Sequence, residues 1–210
     1  MKKIFFTIFL LFAIFGVSFS QNRQRISESD REVLEQRMIE KSKEIKTLQC
    51  VFVQEKTSKL VVEKAVAKGI LLYQSPDAMR WEYTAPTPST LILNGNNAVM
   101  LNKEGKKVGN AKMLKQLIYL IINAINGENI KNDKQFSREI YETDNAQILV
   151  VLTPVQKRLK EFYTSIELKI DSKTLLANEI VLNEKSGDNI VIFLINKELN
   201  KEISPTNFSF

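Results

Sequence analysis

The chain has 210 residues, 44% hydrophobic and 26% charged, with 30 basic residues against 24 acidic ones. It contains no histidine and a single cysteine, Cys50. Those two counts remove the usual general base, the Ser-His-Asp and Cys-His arrangements, thiolate metal sites, most other metal sites and any intrachain disulfide.

The N-terminal segment reads as an export signal over residues 1–20. Lys2 and Lys3 precede an uncharged, almost wholly apolar run from Ile4 to Val17, and Ser18-Phe19-Ser20 offers small residues where a signal peptidase reads. That run falls short of the roughly twenty apolar residues that cross a bilayer. No cysteine follows it, so no lipid attachment is expected there. Cleavage near Ser20-Gln21 leaves one domain, 21–210, long enough for a large core. Loss of Lys2 and Lys3 leaves 28 basic residues against 24 acidic, a net charge of +4. The cations are scattered, with a loose group at Lys103, Lys106, Lys107, Lys112 and Lys115. Without a dense basic face, nucleic acid is not an expected partner, whereas weak attraction to anionic headgroups is compatible with this surface.

Ser27 or Ser29 can cap a helix over 30–46, with Asp30, Glu32 and Glu35 at its positive end and Val33, Leu34, Met38, Ile45 and Leu48 at helical spacing. Strands are expected at 47–58, 61–74, 78–84, 90–94 and 97–103. The last two should be antiparallel neighbours across the tight-turn signal Asn94-Gly95-Asn96. Cys50 falls in an apolar strand, the setting of a buried inert thiol. In the strand at 78–84 the period of two puts Met79, Trp81 and Tyr83 on one face and Arg80 and Glu82 on the other. Arg80 reads as a surface cation paired with Glu82 or a neighbour. A second helix should run from Ala111 to Asn126 and stop at Gly127. It is apolar almost all round after Gln116, so it must be buried or cover something apolar. Further strands follow at 134–142, 146–153, 161–171, 175–183 and 188–197, and Asn207 to Phe210 could pair as an edge strand. About ten strands, mostly sequential neighbours, with two or three helices predict an α+β fold. Its form is a curled antiparallel half-barrel sheet with helices covering the concave face.

Several marks occur in a characteristic order: Val51-Phe52-Val53-Gln54, Gly69-Ile70-Leu71, Pro76 through Trp81, Leu91-Ile92-Leu93-Asn94-Gly95, Leu152-Thr153-Pro154 and Asn207-Phe208-Ser209-Phe210. This series resembles the outer-membrane lipoprotein carrier family, the LolA-like proteins of the bacterial periplasm. The resemblance implies a half-barrel with a lid, no catalysis and no cofactor. It also implies a monomeric periplasmic carrier in transient contact with membranes. Such a carrier takes acylated lipoproteins from an inner-membrane ABC exporter to an outer-membrane acceptor. Candidate catalytic acids such as Asp77 and Glu82 have no distinguishing context. Shielding a sixteen-carbon chain from water is worth roughly 12 kcal/mol gross, at about 0.8 kcal/mol per methylene. The sheet residues expected to line such a cavity are Phe52, Ile70, Leu72, Met79, Trp81, Tyr83, Leu91 and Leu93, and the lid residues are Met113, Leu117 and Ile121. Family members carry an arginine just before the strand-breaking proline that holds the lid closed; here that position is Ser75, after Gln74. Longer relatives also continue past the position of Phe210. Two other readings therefore stand beside the lipoprotein carrier: a carrier of another amphiphile, such as a glycolipid or pigment-linked acyl product, and an envelope-stress sensor domain.

Overall fold

The structure is a computed structural model describing residues 23–108, 121, 134–143 and 145–210. Its eleven strands are β1 (Arg23–Arg25), β2 (Thr47–Ser58), β3 (Val61–Gln74), β4 (Ala78–Ala85), β5 (Ser89–Asn94), β6 (Asn97–Asn102), β7 (Phe136–Thr143), β8 (Gln147–Pro154), β9 (Tyr163–Asp171), β10 (Ala177–Glu184) and β11 (Asn189–Leu199). They form one antiparallel sheet in the order β1-β7-β8-β9-β10-β11-β2-β3-β4-β5-β6. The terminal strands β1 and β6 do not pair with each other, so the sheet curls into a half-barrel without closing. The long strands β2 and β3 pair from Thr47↔Gln74 to Ser58↔Val61 and follow β11, the middle strand of the order.

Helix α1 spans Glu28–Glu44, with Ser27 as its N-cap accepting from the Asp30 backbone N–H at 3.1 Å. Its buried residues, Leu34, Glu35, Met38 and Ser42, make a narrow stripe at i, i+1, i+4 and i+8. Val33 was expected in that stripe but points to water. The far end of α1 is held by Asn200. Its side chain accepts from the Lys46 backbone N–H at 2.8 Å and donates to the Glu44 carbonyl at 3.0 Å. Asn200 itself lies in the left-handed region at φ 57°, which Asn tolerates better than most residues. Helix, helix exit and the end of β11 are thereby tied together.

Leu34, Met38 and Ile45 enter one apolar cluster with the inner-facing residues of nearly the whole sheet. Those residues alternate strictly: Leu48, Cys50 and Phe52 on β2; Ile148, Val150 and Leu152 on β8; Ile166, Leu168 and Ile170 on β9; Ile180 and Leu182 on β10. The outer face carries a smaller apolar cluster among the described residues. Ile92, Val99, Ile203 and Phe208 form a second cluster there, with Leu72, Ala78 and Leu101 packed against it. Its cover is the chain end, which is not the edge strand expected from sequence but a 3₁₀ turn over Pro205–Phe208. Pro205 lacks the N–H a ladder requires. Phe208 is buried in the outer cluster, while Arg80 and Asn94 donate to the Asn207 and Phe208 carbonyls at 3.4 Å and 3.3 Å. Arg80 also pairs with Glu82 at 2.7 Å, as the sequence implied. The helix expected over 111–126 lies outside the described residues except for Ile121, which is buried in the inner cluster.

One polar group interrupts the inner layer. Glu35, only 3% exposed, sits under α1 with Oε1 3.7 Å from Arg31 Nε and 3.8 Å from Arg138 Nη2 on β7. A carboxylate this buried needs its cations, and removing it takes one ion-pair partner from Arg138, whose side chain is itself largely buried. Glu35→Ala should therefore cost stability near the low end of the roughly 3–5 kcal/mol for breaking a buried pair, because Arg31 can turn to water. Urea unfolding checks this, and the double variant Glu35→Met/Arg138→Met should recover part of the loss.

Candidate functional site

The inner face is densest in aromatic rings where β2, β3 and β4 meet. The register sets Phe52 opposite Gly69 and Gly69 opposite Tyr83, with Cys50, Leu71, Trp81 and Leu91 in the adjoining row. The next row holds Leu48, Tyr73, Met79 and Leu93. Gly69 decides how the rings pack. A methyl group there would collide with the Glu82 carbonyl oxygen and the edge of the Phe52 ring. With no side chain at Gly69, the Phe52 ring crosses β3 and meets Trp81 at 4.2 Å between centroids and Tyr83 edge-on at 5.2 Å. Each such pair adds about 0.5–1.5 kcal/mol beyond the area it buries.

The cluster has a dry end and a polar end. Met79, Leu93, Leu71 and Tyr73 are fully buried. At the other end, half-buried Tyr83 donates its hydroxyl to Gln54 Oε1 at 2.9 Å. Burial raises the Tyr83 pKa, and the neighbouring Trp81 indole and Gln54 amide offset part of that rise. The indole nevertheless misses hydrogen-bond geometry with the hydroxyl. Trp81, 4% exposed, keeps its Nε1–H buried without a hydrogen-bond partner. The arrangement therefore offers a large apolar surface bounded by a few uncharged polar groups. Among the described residues no cluster of three metal-ligating side chains occurs.

The family model described as outer membrane lipoprotein carrier protein LolA matches residues 43–210. The chain belongs to the LolA family. Among solved structures, MucB aligns with a TM-score of 0.51 at 11% identity, covering 88% of this chain and 64% of MucB. A LolA superfamily protein from Nitrosomonas europaea aligns at a TM-score of 0.48 and 11% identity, covering 84% of this chain and 97% of that one. A DUF1329 family protein from Desulfovibrio piger gives 0.48 and 13%, covering 86% and 96%. At such identities these likenesses concern the fold alone. No curated protein sequence matches the chain significantly.

In this LolA-family sheet, Phe52, Met79, Trp81, Leu91, Leu93 and Ile121 share the inner cluster, and Tyr83 packs against it. Ile70 and Leu72 do not. Ile70 is 43% exposed, and Leu72 packs into the outer cluster under the C-terminal turn. The expected β3 lining was one residue out of phase. Gly69 occupies the inner position opposite Phe52, so the inner residues beyond it are Leu71 and Tyr73. Met113 and Leu117 lie outside the described residues. Sequence reasoning also missed Gln54 and Cys50 as inner-facing residues. The Gly69-x-Leu71 pattern carried the correct phase, because positions two apart share a face.

Cys50 is buried beside Lys197, and burial pushes its thiol up to about 12, against a smaller lowering by the Lys197 cation. Native Cys50 should resist iodoacetamide at pH 8 and react fully in denaturant, where its pKa returns to about 8.5. The unfolded chain then loses the thiol proton first, so this group's stabilisation is complete below about pH 8.5 and declines as pH rises toward 12. The face assignment gives a sharper contrast. Leu71→Ala should cost about 2–5 kcal/mol of stability, and Ile70→Ala well under 1 kcal/mol. Equal losses in thermal unfolding of the two variants would contradict the register.

Proposed function

We propose that this protein is an exported carrier whose inner sheet face shields the acyl chains of lipoproteins in transit from an inner-membrane ABC exporter to an outer-membrane acceptor. The observation that carries the reading is the continuous apolar inner face, centred on Phe52, Trp81 and Tyr83, in a chain whose family model bears the lipoprotein-carrier description. A soluble shuttle must hide roughly 12 kcal/mol worth of hydrocarbon per chain and still release it. An open half-barrel suits that balance better than a closed barrel, because its cover can move without breaking the strand ladder. Residues 1–20 act in this reading as the cleaved export signal, which delivers the carrier to the periplasm.

Contact with membranes has a candidate surface at the β2–β3 tip. Leu60, Val61 and Val62 are 94%, 57% and 102% exposed there, beside Lys59 and Lys64. Three exposed aliphatic side chains, preceded by Lys59 and followed by Glu63 and the Glu55-paired Lys64, fit the boundary between acyl chains and headgroups chiefly through their apolar surface.

A second reading, carriage of another amphiphile, rests on Ser75, which stands where the resemblance places a lid-locking arginine. Native mass spectrometry of the protein purified from its own host separates the two. A bound triacylated lipoprotein supports the favoured reading, and a lone small lipid supports the second. Depletion should trap lipoproteins in the inner membrane. Normal sorting in a clean deletion, with no paralogue compensating, would refute the lipoprotein role.

A further inference from the structure

The aromatic cluster contains one group that packing alone does not explain. The Trp81 indole N–H is buried, makes no hydrogen bond, and lies among Phe52, Tyr83 and other residues of the inner cluster. An unsatisfied buried donor costs about 1–3 kcal/mol. Phenylalanine at this position would keep a ring against Phe52 and avoid that cost. The Tyr83 hydroxyl, the nearest polar neighbour, already gives its proton to Gln54. The Tyr83 oxygen retains lone pairs as an acceptor, but the indole N–H is out of hydrogen-bond geometry with it, which leaves the donor open to an acceptor carried by a ligand. Its place favours a neutral acceptor: among the described residues no ion pair or cation–π contact involves Phe52, Trp81 or Tyr83, so an anion would lack a partner from them, whereas a neutral carbonyl matches one N–H.

We propose that Trp81 Nε1–H is the hydrogen-bond donor for the ester or amide carbonyl of a bound acyl chain. The inference rests on the acyl-carrier reading and adds to it a polar subsite and a direction. The hydrocarbon tail runs inward over Leu71, Met79 and Leu93, which are fully buried in the ligand-free chain, so the tail takes the place of side chains that now cover them. The carbonyl stops at Trp81, and the remainder of the molecule leaves past half-buried Tyr83 and Gln54 toward solvent. The carrier would then recognise where an acyl chain begins as well as its greasy length, and would bind acyl groups in preference to plain alkyl chains.

The test uses palmitoyl lysophosphatidylcholine and its hexadecyl ether analogue, which differ only in the carbonyl, at concentrations below micelle formation. Equilibrium dialysis should show the ester bound about 5–10-fold more tightly than the ether, the ratio expected of one neutral hydrogen bond. Trp81→Phe should abolish that preference and leave the ether affinity within about twofold. Trp81 is the chain's only tryptophan, so the full-length protein labelled with nitrogen-15 gives a single indole N–H resonance that needs no variant. That resonance should move downfield and exchange more slowly with the ester than with the ether. Equal affinities for the two lipids, or an indole resonance that responds identically to both, overturns the subsite while leaving the acyl carrier intact. Failure of both lipids to bind overturns the subsite and the acyl-binding reading together.

Discussion

Every other feature of this fold answers one constraint: a sheet with a continuous apolar face must keep that face from water without closing on itself. A closed barrel would satisfy its edges and fill its interior, leaving nothing to exchange. Here β1 and β6 stay apart, so the inner face needs a separate cover. Helix α1 supplies part of it with only Leu34, Met38 and a few neighbours, and is otherwise held by polar ties. The Glu35–Arg138 pair and the Asn200 clasp fix the helix to the sheet at its middle and at its far end. Such fastening is directional where apolar packing is not. A cover pinned this way keeps its register on the sheet.

Gly69 converts that general constraint into a particular site. Phe52 can cross the sheet only because position 69 carries no side chain, and crossing it brings the ring onto Trp81 and Tyr83. Three rings from two strands then form one surface wider than either strand could present alone. The same vacancy sets the phase of β3, sending Leu71 and Tyr73 inward and Ile70 and Leu72 outward. One missing β-carbon therefore determines both the shape of the apolar surface and which aliphatics belong to it.

The fold was legible in the sequence wherever alternation was strict and turns were marked. Five strand ranges from Thr47 to Asn102 follow from apolar periodicity and from breaks such as Ser75-Pro76 and Asn94-Gly95. The family match likewise agrees with the ordered marks from Phe52 to Phe208. Three things stayed hidden, each for a physical reason. The strand β1 is three polar, exposed residues, so it carries no hydrophobic period at all. The chain end has strand-like composition, but Pro205 and the bonds from Arg80 and Asn94 fold it into a turn, and those partners lie far away in sequence. The β3 lining was misphased because Ile70 and Leu72 are as apolar as Leu71, so within a run apolar on both faces composition cannot choose between them. Only the register with Phe52 does.

The two apolar clusters also differ in what they can contribute to binding. The outer one is built from Ile92, Val99, Ile203 and Phe208 and closed by backbone carbonyls of the C-terminal turn that accept from Arg80 and Asn94. Its polar groups are paired, so it has the character of a finished core. The inner one spans far more of the sheet, yet it leaves the Trp81 N–H without a partner and ends at the half-buried Tyr83–Gln54 pair. Folding alone selects against an unsatisfied donor in a buried layer. In the proposed carrier, the donor that persists beside the aromatic rings is the group a bound ligand would complete. In that reading the asymmetry, more than the amount of apolar area on either side, is what favours the inner face over the outer one as the binding face.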